Sequence, residues 1–211
     1  MSDNLDNLRH STSHLLAAAV LKLWPKAKPT LGPPIEEGFY YDFDFGSSKI
    51  SEEDFPKIEK EMTKIVSGWD SFKKEEISAT EAKKRFKGNA YKLELIEEFA
   101  KEGQKITLYS SGDFTDLCKG GHLESPAKQI KFFKLLSVAG AYWRGSEKNP
   151  MLTRIYGTVF PSQKGLDEYL NSLEQAKARD HRKIGKELEL FTISEEVGPG
   201  LVLWLPKGNI I

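Results

Sequence analysis

The sequence predicts an α+β fold in which an antiparallel sheet packs against helices and a long helix follows. Residues 39–45 alternate between aromatic and polar side chains, which is typical of a half-buried strand in an antiparallel sheet. Residues 55–65 and 163–186 instead repeat apolar side chains at helical spacing. A chain of 211 residues is long enough to bury a sizeable core around such elements.

The first predicted element is a helix that runs to Trp24, where Pro25 ends the pattern. Its apolar stripe consists of Leu5, Leu8, Thr12, Leu15, Leu16, Ala19 and Leu23. His10 and His14 lie on the opposite side, next to small alanines. A helix with two such faces is expected to lie between two layers of protein, with its histidines at the rim of a cleft. The alternative is an ordinary amphipathic helix whose histidines face solvent.

Strands and short helices are expected to follow this helix. Residues 32–38, rich in glycine and proline, predict a rigid loop between strands. In the strand 39–45 the face expected to be buried carries Phe39, Tyr41, Phe43 and Phe45. Ser51 and Asp54 then form a capping-box pattern before a helix. The buried stripe predicted for that helix is Phe55, Ile58, Met62 and Ile65.

The middle of the chain predicts further alternation of strands and helices. Predicted strands cover residues 72–77, 106–109, 132–143 and 152–160, several of them rich in aromatic and β-branched side chains. Ser78 and Glu81 predict the start of a short helix, and a second helix is expected over 90–99, after Gly88 and Asn89. Residues 110–122 are expected to form a loop.

The end of the chain differs in character from what precedes it. The predicted helix over 163–186 is basic in its second half, which could contact phosphate, although a solvated helix between domains is the favoured interpretation. We expect three segments, with a catalytic domain over 1–161, a linker helix over 162–186 and the truncated start of another domain over 187–211.

Composition limits the possible partners. The chain has 31 Lys and Arg residues against 31 Asp and Glu residues, so no global basic field exists, which argues against a general nucleic-acid coat protein. Any nucleic acid must be held by a local patch. One cysteine excludes an internal disulfide framework and fits a reducing cytoplasm, where we expect the protein to act. No signal peptide or membrane-spanning run is evident, so no membrane partner is expected.

The residues that indicate chemistry form two pairs with the same spacing. The chain has four histidines and one cysteine, and four of these five residues are His10, His14, Cys118 and His122. Spacing of four residues brings both members of a pair to one helix face or into one tight loop. Three imidazoles and a thiolate suit zinc, although four protein ligands close a zinc site unless one stays loose. A water network in place of a metal is equally compatible with the set, and Cys118 as a covalent nucleophile is a further alternative.

Several ordered motifs resemble the editing domain of bacterial-type threonyl-tRNA synthetases. The motifs are Arg9-His10-Ser11-x-x-His14, Gly38-Phe39-Tyr40-Tyr41-Asp42, Asp116-Leu117-Cys118-x-Gly120-x-His122, Ala141-Tyr142-Trp143-Arg144-Gly145, Arg154-Ile155-Tyr156-Gly157-Thr158 and Asp180-His181-Arg182-Lys183. The pairs of histidine and cysteine are also similar to those of alanyl-tRNA synthetase editing domains. The resemblance implies the editing fold shared by the two families.

The resemblance also implies a reaction, which is hydrolysis of the ester that joins serine to the terminal adenosine of tRNA(Thr). Serine lacks one methyl group of threonine, a difference that a binding pocket rewards by only about 1–3 kcal/mol. A second, smaller pocket that admits serine and excludes threonine corrects this error. In a full-length ligase of this family, ATP and Mg would serve only the aminoacylation domain, which residues 187–211 would begin.

Roles for individual residues follow from the same resemblance. The two pairs would form the centre of the site, as catalytic residues and as candidate zinc ligands. Lys92 would stabilise the oxyanion or return a proton to the leaving hydroxyl, and Asp116 would hold the substrate ammonium or orient water. Tyr41 would line the pocket for adenosine or the amino acid.

An alternative function is a zinc-bound structural or tRNA-binding module without hydrolytic activity. Lys92 and Asp116 distinguish the two, because a structural metal knot needs neither. The expected partner is the 3′ end of tRNA(Thr) carrying serine. We expect this chain to be a monomer and the full-length protein to be a homodimer.

Overall fold

Two antiparallel sheets organise the first of two compact units in this computed structural model, which describes residues 2–193, 198 and 201–210. The first unit ends at Leu166 and the second begins at Asp167. The strands of the first unit are β1 (Lys28–Pro29), β2 (Pro34–Ile35), β3 (Gly38–Asp44), β4 (Lys73–Ile77), β5 (Ile106–Ser111), β6 (Phe114–Leu117), β7 (Phe132–Tyr142) and β8 (Met151–Phe160). Its helices are α1 (Ser2–Leu23), α2 (Phe55–Val66), α3 (Ala79–Arg85), α4 (Ala90–Lys101) and α5 (Pro126–Gln129). The predicted α+β class, an antiparallel sheet packed with helices, is confirmed.

The larger sheet has the order β1-β3-β8-β7, with β2 also paired to β3, and the smaller sheet has the order β4-β5-β6. Every strand pair in both sheets is antiparallel. In the larger sheet Tyr41 lies opposite Ile155 and Asp42 lies opposite Arg154. Arg154 donates to both carboxylate oxygens of Asp42, at 2.7 and 2.8 Å, so the one acidic side chain buried on the outer face of β3 is neutralised.

The alternation predicted for β3 is confirmed. Phe39, Tyr41 and Phe43 are buried, whereas Tyr40 on the other face is half-buried. Helix α1 packs against β3, β8 and α2. From Leu15 to Val20 every side chain of α1 is buried, so the predicted sandwich between two layers is confirmed. The expectation that both histidines lie at the rim of a cleft is confirmed for His10, which is half-buried. It is wrong for His14, which is buried.

The expectation of an uninterrupted loop over 110–122 is wrong, because residues 114–117 form β6. Gly112, with a φ of +56°, turns the chain so that Ser111 and Phe114 pair. Phe114 and Asp116 are buried on one side of this short strand while Thr115 is exposed. A buried aspartate within four residues gives no apolar alternation, and the sequence pattern therefore does not reveal the strand.

The predicted long helix over 163–186 is interrupted and consists of α6 (Gln163–Ala178) and α7 (His181–Glu187). Asp180 leaves the helical conformation with a ψ of 114°, and its side chain accepts a hydrogen bond from the amide of Arg182 at 2.9 Å. This aspartate begins a new helix as an N-cap, which competes with continuation of the first.

The second unit contains the rest of α6, α7 and an antiparallel pair of strands, β9 (Phe191–Ile193) and β10 (Val202–Trp204). Phe191 and Trp204 pack edge to face, with ring centroids 5.7 Å apart. Residues 194–197, 199–200 and 211 of the expected last segment lie outside the described residues. The division of function among 1–161, 162–186 and 187–211 stays a prediction. None of the described helices is long and apolar enough to cross a membrane.

Candidate active site

The two predicted pairs meet in one cluster. Helix α1 supplies His10 and His14 from consecutive turns, and the loop after β6 supplies Cys118 and His122. One ligand atom from each of the four side chains lies within 4.8 Å of all the others. The fold therefore assembles two pairs of residues that are separated from each other in sequence by more than a hundred positions.

Cys118 contacts two of the three histidines in this cluster. Its Sγ is 3.4 Å from Nε2 of His10 and 3.5 Å from Nε2 of His122. The amide of Gly120 also points at this sulfur, at 3.4 Å. The other ring nitrogen of His10, Nδ1, is 3.1 Å from the carbonyl oxygen of Gly121. A carbonyl can only accept, so Nδ1 of His10 carries the proton and its Nε2 presents a lone pair to the cluster.

The two glycines after Cys118 are required by the shape of the loop. Gly120 and Gly121 have φ values of +114° and +84°, a region that side chains with a Cβ rarely adopt. A Cβ atom at Gly120 would also lie 2.7 Å from the hydroxyl of Tyr109. This loop conformation turns His122 back toward Cys118, where Phe72 and Tyr109 pack against the His122 ring with centroid distances of 4.3 and 4.5 Å.

His14 is the most deeply buried member of the cluster. Its side chain is 3% exposed, and neither of its ring nitrogens has a hydrogen-bond partner. The nearest carboxylate oxygen is Oδ2 of Asp116, at 3.6 Å from Nδ1. Nδ1 of His122 is likewise buried without a partner. Buried polar atoms without partners are rare, and a bound ion or water explains them. The donor set of three imidazoles and one thiol fits zinc in both number and type.

Burial sets the charge states of these side chains. It lowers the pKa of His10, lowers that of His14 well below the usual value and lowers that of His122 to about 3. The imidazoles are therefore neutral at pH 7, which is the form that binds metals or accepts protons. Burial also raises the pKa of the Cys118 thiol to about 11. A nucleophilic cysteine requires a lowered pKa, so this environment argues against Cys118 as a covalent nucleophile.

A buried ion pair borders the cluster. Lys92, in the first turn of α4, is 1% exposed, and its Nζ lies 2.5 Å from Oδ1 of Asp116 on β6. The hydroxyl of Tyr41 donates to Oδ2 of the same carboxylate and lies 3.5 Å from Nζ of Lys92. Burial, followed by the charge of Asp116, raises the pKa of Tyr41 well above its usual value, so this hydroxyl stays protonated and donates. Lys92 is thus not a surface lysine.

Both groups face one cavity of about 280 Å³. It is lined by the polar side chains of His10, His14, Cys118, Lys92 and Asp116. A further wall is formed by Thr30, Leu31, Gly32 and Pro33, together with Leu95 and Phe99 of α4. Two further lysines, Lys105 and Lys119, also border the cavity. An apolar wall with a few convergent polar groups is typical of a site for a small molecule or a ligand end.

Of the predicted site residues, His122 does not border this cavity, and neither does Tyr41. Tyr41 is 1% exposed and lies behind Asp116. Sequence reasoning in turn missed the wall formed by residues 30–33, of which only 32 and 33 belong to the predicted rigid loop over 32–38. Ser13 holds this wall, because its hydroxyl donates to the carbonyl of Gly32 at 2.6 Å. The sequence signal that could have indicated this wall is Ser13, because it lies between the two histidines of α1.

The chain is similar to one known protein family and to several curated proteins. Residues 106–156 match the family model described as the threonyl and alanyl tRNA synthetase second additional domain, which includes Cys118 and His122. The chain is 54% identical over 205 residues to threonine–tRNA ligase of Thermotoga petrophila, covering 96% of this chain and 32% of that protein. For the ligase of Flavobacterium johnsoniae the identity is 56% over 199 residues, 94% of this chain and 30% of the relative.

A third relative extends the match to nearly the whole chain. The threonine–tRNA ligase of Dehalococcoides mccartyi is 50% identical over 208 residues, covering 99% of this chain and 35% of that protein. The chain therefore spans about a third of the length of the curated relatives it matches. All the site residues of this chain lie in the part that matches these relatives.

Proposed function

Because this chain is a homologue of the threonine–tRNA ligases and carries the domain that they share with alanyl-tRNA synthetases, we propose that it hydrolyses seryl-tRNA(Thr). The bond to be broken is the ester between serine and the terminal ribose of the tRNA. For a full-length protein like the matched relatives, we propose ligation of threonine to tRNA with ATP and Mg.

The observation that carries this proposal is the shared cavity of the buried Lys92–Asp116 pair and the cluster of histidines and cysteine. A structural metal site requires only its ligands and well-packed side chains around them. Burial of an ammonium group is costly unless it is paired, and here the paired ammonium borders a cavity rather than packed core. Such an arrangement supports an enzyme more than a structural or purely tRNA-binding module.

The proposed reaction uses neutral imidazoles and one positive charge. Water adds to the ester carbonyl, and a proton passes from that water to a lone pair such as Nε2 of His10. The carbonyl oxygen becomes negative and is stabilised by Nζ of Lys92, an effect that preorganised donors provide most strongly in a site shielded from water. Collapse of the intermediate breaks the bond to the ribose oxygen, which takes up a proton, and serine and free tRNA leave.

Asp116 and Tyr41 support this step without contacting the reacting atoms. Asp116 accepts from Lys92 and from Tyr41, which fixes the ammonium in one place. We propose a positioning role for Tyr41 in place of contact with adenosine or the amino acid. Lys105 and Lys119 at the cavity border supply a local positive charge for a tRNA end in a chain without net charge.

We propose that His10, His14, Cys118 and His122 are ligands for zinc, because they match it in donor type and in mutual distance. Bound with one of these four side chains left free, zinc would supply Lewis acidity and a water of lowered pKa. A cytoplasmic location and the serine-charged state of the tRNA partner are parts of the same proposal. So are a monomeric state for this chain and a homodimeric state for the larger protein.

The test is incubation of the purified protein with seryl-tRNA(Thr) and threonyl-tRNA(Thr), each with and without a chelator. Uncatalysed hydrolysis of each ester in buffer is the control. We expect rapid loss of serine and little loss of threonine. Equal rates on both substrates, or no hydrolysis by folded protein, contradict the proposal. Loss of activity with the chelator and its return with added zinc support a functional metal, whereas insensitivity favours a water network.

A further inference from the structure

Helix α4 is attached to both sheets of the first unit. One side of the helix packs on the smaller sheet, where Ile96 shares a buried cluster with Ile106 of β5. Its other side packs on the hairpin between β7 and β8, where Leu95 and Tyr91 share a cluster with Trp143. Lys92 lies between these two attachments, so its position depends on how both sheets hold α4.

The hairpin holds the outer part of the helix through charged groups. The indole of Trp143 donates to Oε2 of Glu94 at 3.0 Å. The guanidinium of Arg144 lies 2.7 Å from Glu94 and 2.6 Å from Glu98. The contacts of Arg144 are exposed and restrain the middle of the helix from the solvent side. They do not reach the first turn, where Lys92 is located.

Asn89 restrains that first turn with both ends of its amide group. Its Oδ1 accepts hydrogen bonds from the amides of Tyr91 and Lys92, at 3.1 and 3.2 Å, and so caps α4. Its Nδ2 donates to the carbonyl of Pro29 at 2.7 Å. The side chain is 8% exposed. A helix cap needs only the oxygen, so the second hydrogen bond is not explained by capping.

The partner of that second hydrogen bond lies next to the wall of the cavity. Pro29 directly precedes Thr30, Leu31, Gly32 and Pro33, which form one wall of the cavity. One buried amide therefore ties the backbone of Lys92 to the backbone that begins this wall. The ion pair with Asp116 fixes the far end of Lys92, and Asn89 fixes its near end.

We propose that Asn89 is a positioning residue for Lys92, setting the placement of its ammonium relative to the cavity wall. The inference rests on the proposed hydrolysis of seryl-tRNA, in which Lys92 faces the developing oxyanion. Misplacement of a catalytic group by about 1 Å can lower a rate roughly a hundredfold. Asn89 acts only through Lys92 and the wall, and contacts no reacting atom.

The test compares three variants of the whole chain under single-turnover conditions with saturating seryl-tRNA(Thr). Asn89→Asp and Asn89→Ser keep an oxygen that can cap α4 but lose the Nδ2 group that reaches and donates to Pro29. Ser78→Ala is the matched control, because Ser78 caps α3 through the amide of Glu81 and does not border the cavity. We expect both Asn89 variants to lower the hydrolytic rate about tenfold to a hundredfold without weakening tRNA binding, and Ser78→Ala to keep the wild-type rate.

A second measurement does not depend on activity. The NMR signal of the Lys92 side-chain ammonium, assigned with Lys92→Ala, reports its environment directly. We expect this signal to shift in Asn89→Asp and to stay in place in Ser78→Ala. Inactive wild-type protein contradicts the proposed function, and the ammonium signal then still decides whether Asn89 positions Lys92. Wild-type rates in the Asn89 variants, an unshifted signal, or unfolding of both Asn89 variants while Ser78→Ala stays folded overturns the positioning role.

Discussion

The ammonium of Lys92 lies 2.5 Å from a carboxylate oxygen of Asp116, and the two side chains are 1% and 4% exposed. Because little water reaches either side chain, the charge of each is compensated mainly by the charge of the other. Removal of one partner from a buried pair typically costs about 3–5 kcal/mol, because the remaining charge stays buried alone. The effect of substituting either residue on the free energy of unfolding must therefore be measured separately from its effect on the rate of hydrolysis.

Lys92→Ala is expected to lower the hydrolytic rate by about 10²–10³, the usual effect of losing one preorganised oxyanion donor. Binding of tRNA should change little, because no phosphate contact is lost. The variant is also expected to be destabilised, and Lys92→Ala/Asp116→Asn should recover stability without recovering activity. Single-turnover hydrolysis and urea unfolding measure the two effects separately.

Lys92→Arg keeps the positive charge in a different shape and is expected to recover only part of the rate. The assignment is wrong if Lys92→Ala weakens tRNA binding and flattens its salt dependence while single-turnover hydrolysis stays normal. Such a result would identify Lys92 as a phosphate contact.

His10→Ala and Cys118→Ala are expected to abolish hydrolysis and to leave a folded protein, because both side chains are only partly buried. His181→Ala is the matched control, since this histidine has a side chain that is 86% exposed and belongs to the second unit. Thermal melting and zinc content of the three proteins are measured with the rate. If His10→Ala and Cys118→Ala both unfold and the activity merely follows unfolding, the structural-metal interpretation gains support.

Stability is expected to fall as the pH is lowered from about 7 to 5 in the presence of a chelator. Burial lowers the pKa of His10 and His14 in the folded state and that of His122 from 6.5 to about 3. The unfolded chain therefore binds more protons below its ordinary histidine pKa, and acid favours unfolding. Above that pKa both states are neutral and the contribution to pH dependence vanishes.

The measurement is the free energy of unfolding in urea across this pH range. His14→Gln should reduce the slope, since it removes the most deeply buried imidazole. An equal slope in wild-type and His14→Gln protein contradicts the assigned cause.

Gly32→Ala is expected to destabilise the fold and to lower activity together. A Cβ atom at Gly32 would collide with the ring of Tyr41, whose hydroxyl donates to Asp116. Forcing an extra carbon into such a packed place typically costs about 1–3 kcal/mol. Gly88→Ala is the control, because a Cβ there meets no atom within 4 Å. Unchanged melting and activity of Gly32→Ala would show that the ring of Tyr41 can move without consequence.

The sequence predicts the long periodic elements well. The alternation of Phe39, Tyr41 and Phe43 and the sandwiched helix α1 follow from patterns that extend over several turns or pleats. The short strand β6 escapes prediction because four residues with a buried aspartate contain too little pattern. The break at Asp180 escapes because the helical periodicity of α6 continues in α7 and only a single capping residue marks the change.

The same division applies to the site. Equal spacing made the four-residue cluster visible, since each pair is local in sequence. Burial of Lys92 and its contact with Asp116 depend instead on how α4 docks against β6, which no local pattern encodes. The cavity wall at residues 30–33 is likewise defined by a hydrogen bond from Ser13 to Gly32, and a contact between distant segments leaves no periodic signal.

Helix α1 has a further consequence for how the chain folds during synthesis. Its residues from Leu15 to Val20 are buried on every side, but it packs against β3, β8 and α2, which are all synthesised later. Until β8 leaves the ribosome, α1 has no complete set of partners and its apolar surface is available to chaperones or to aggregation. Folding is therefore expected to be slow and late, with the histidines of α1 joining the cluster only after most of the first unit exists.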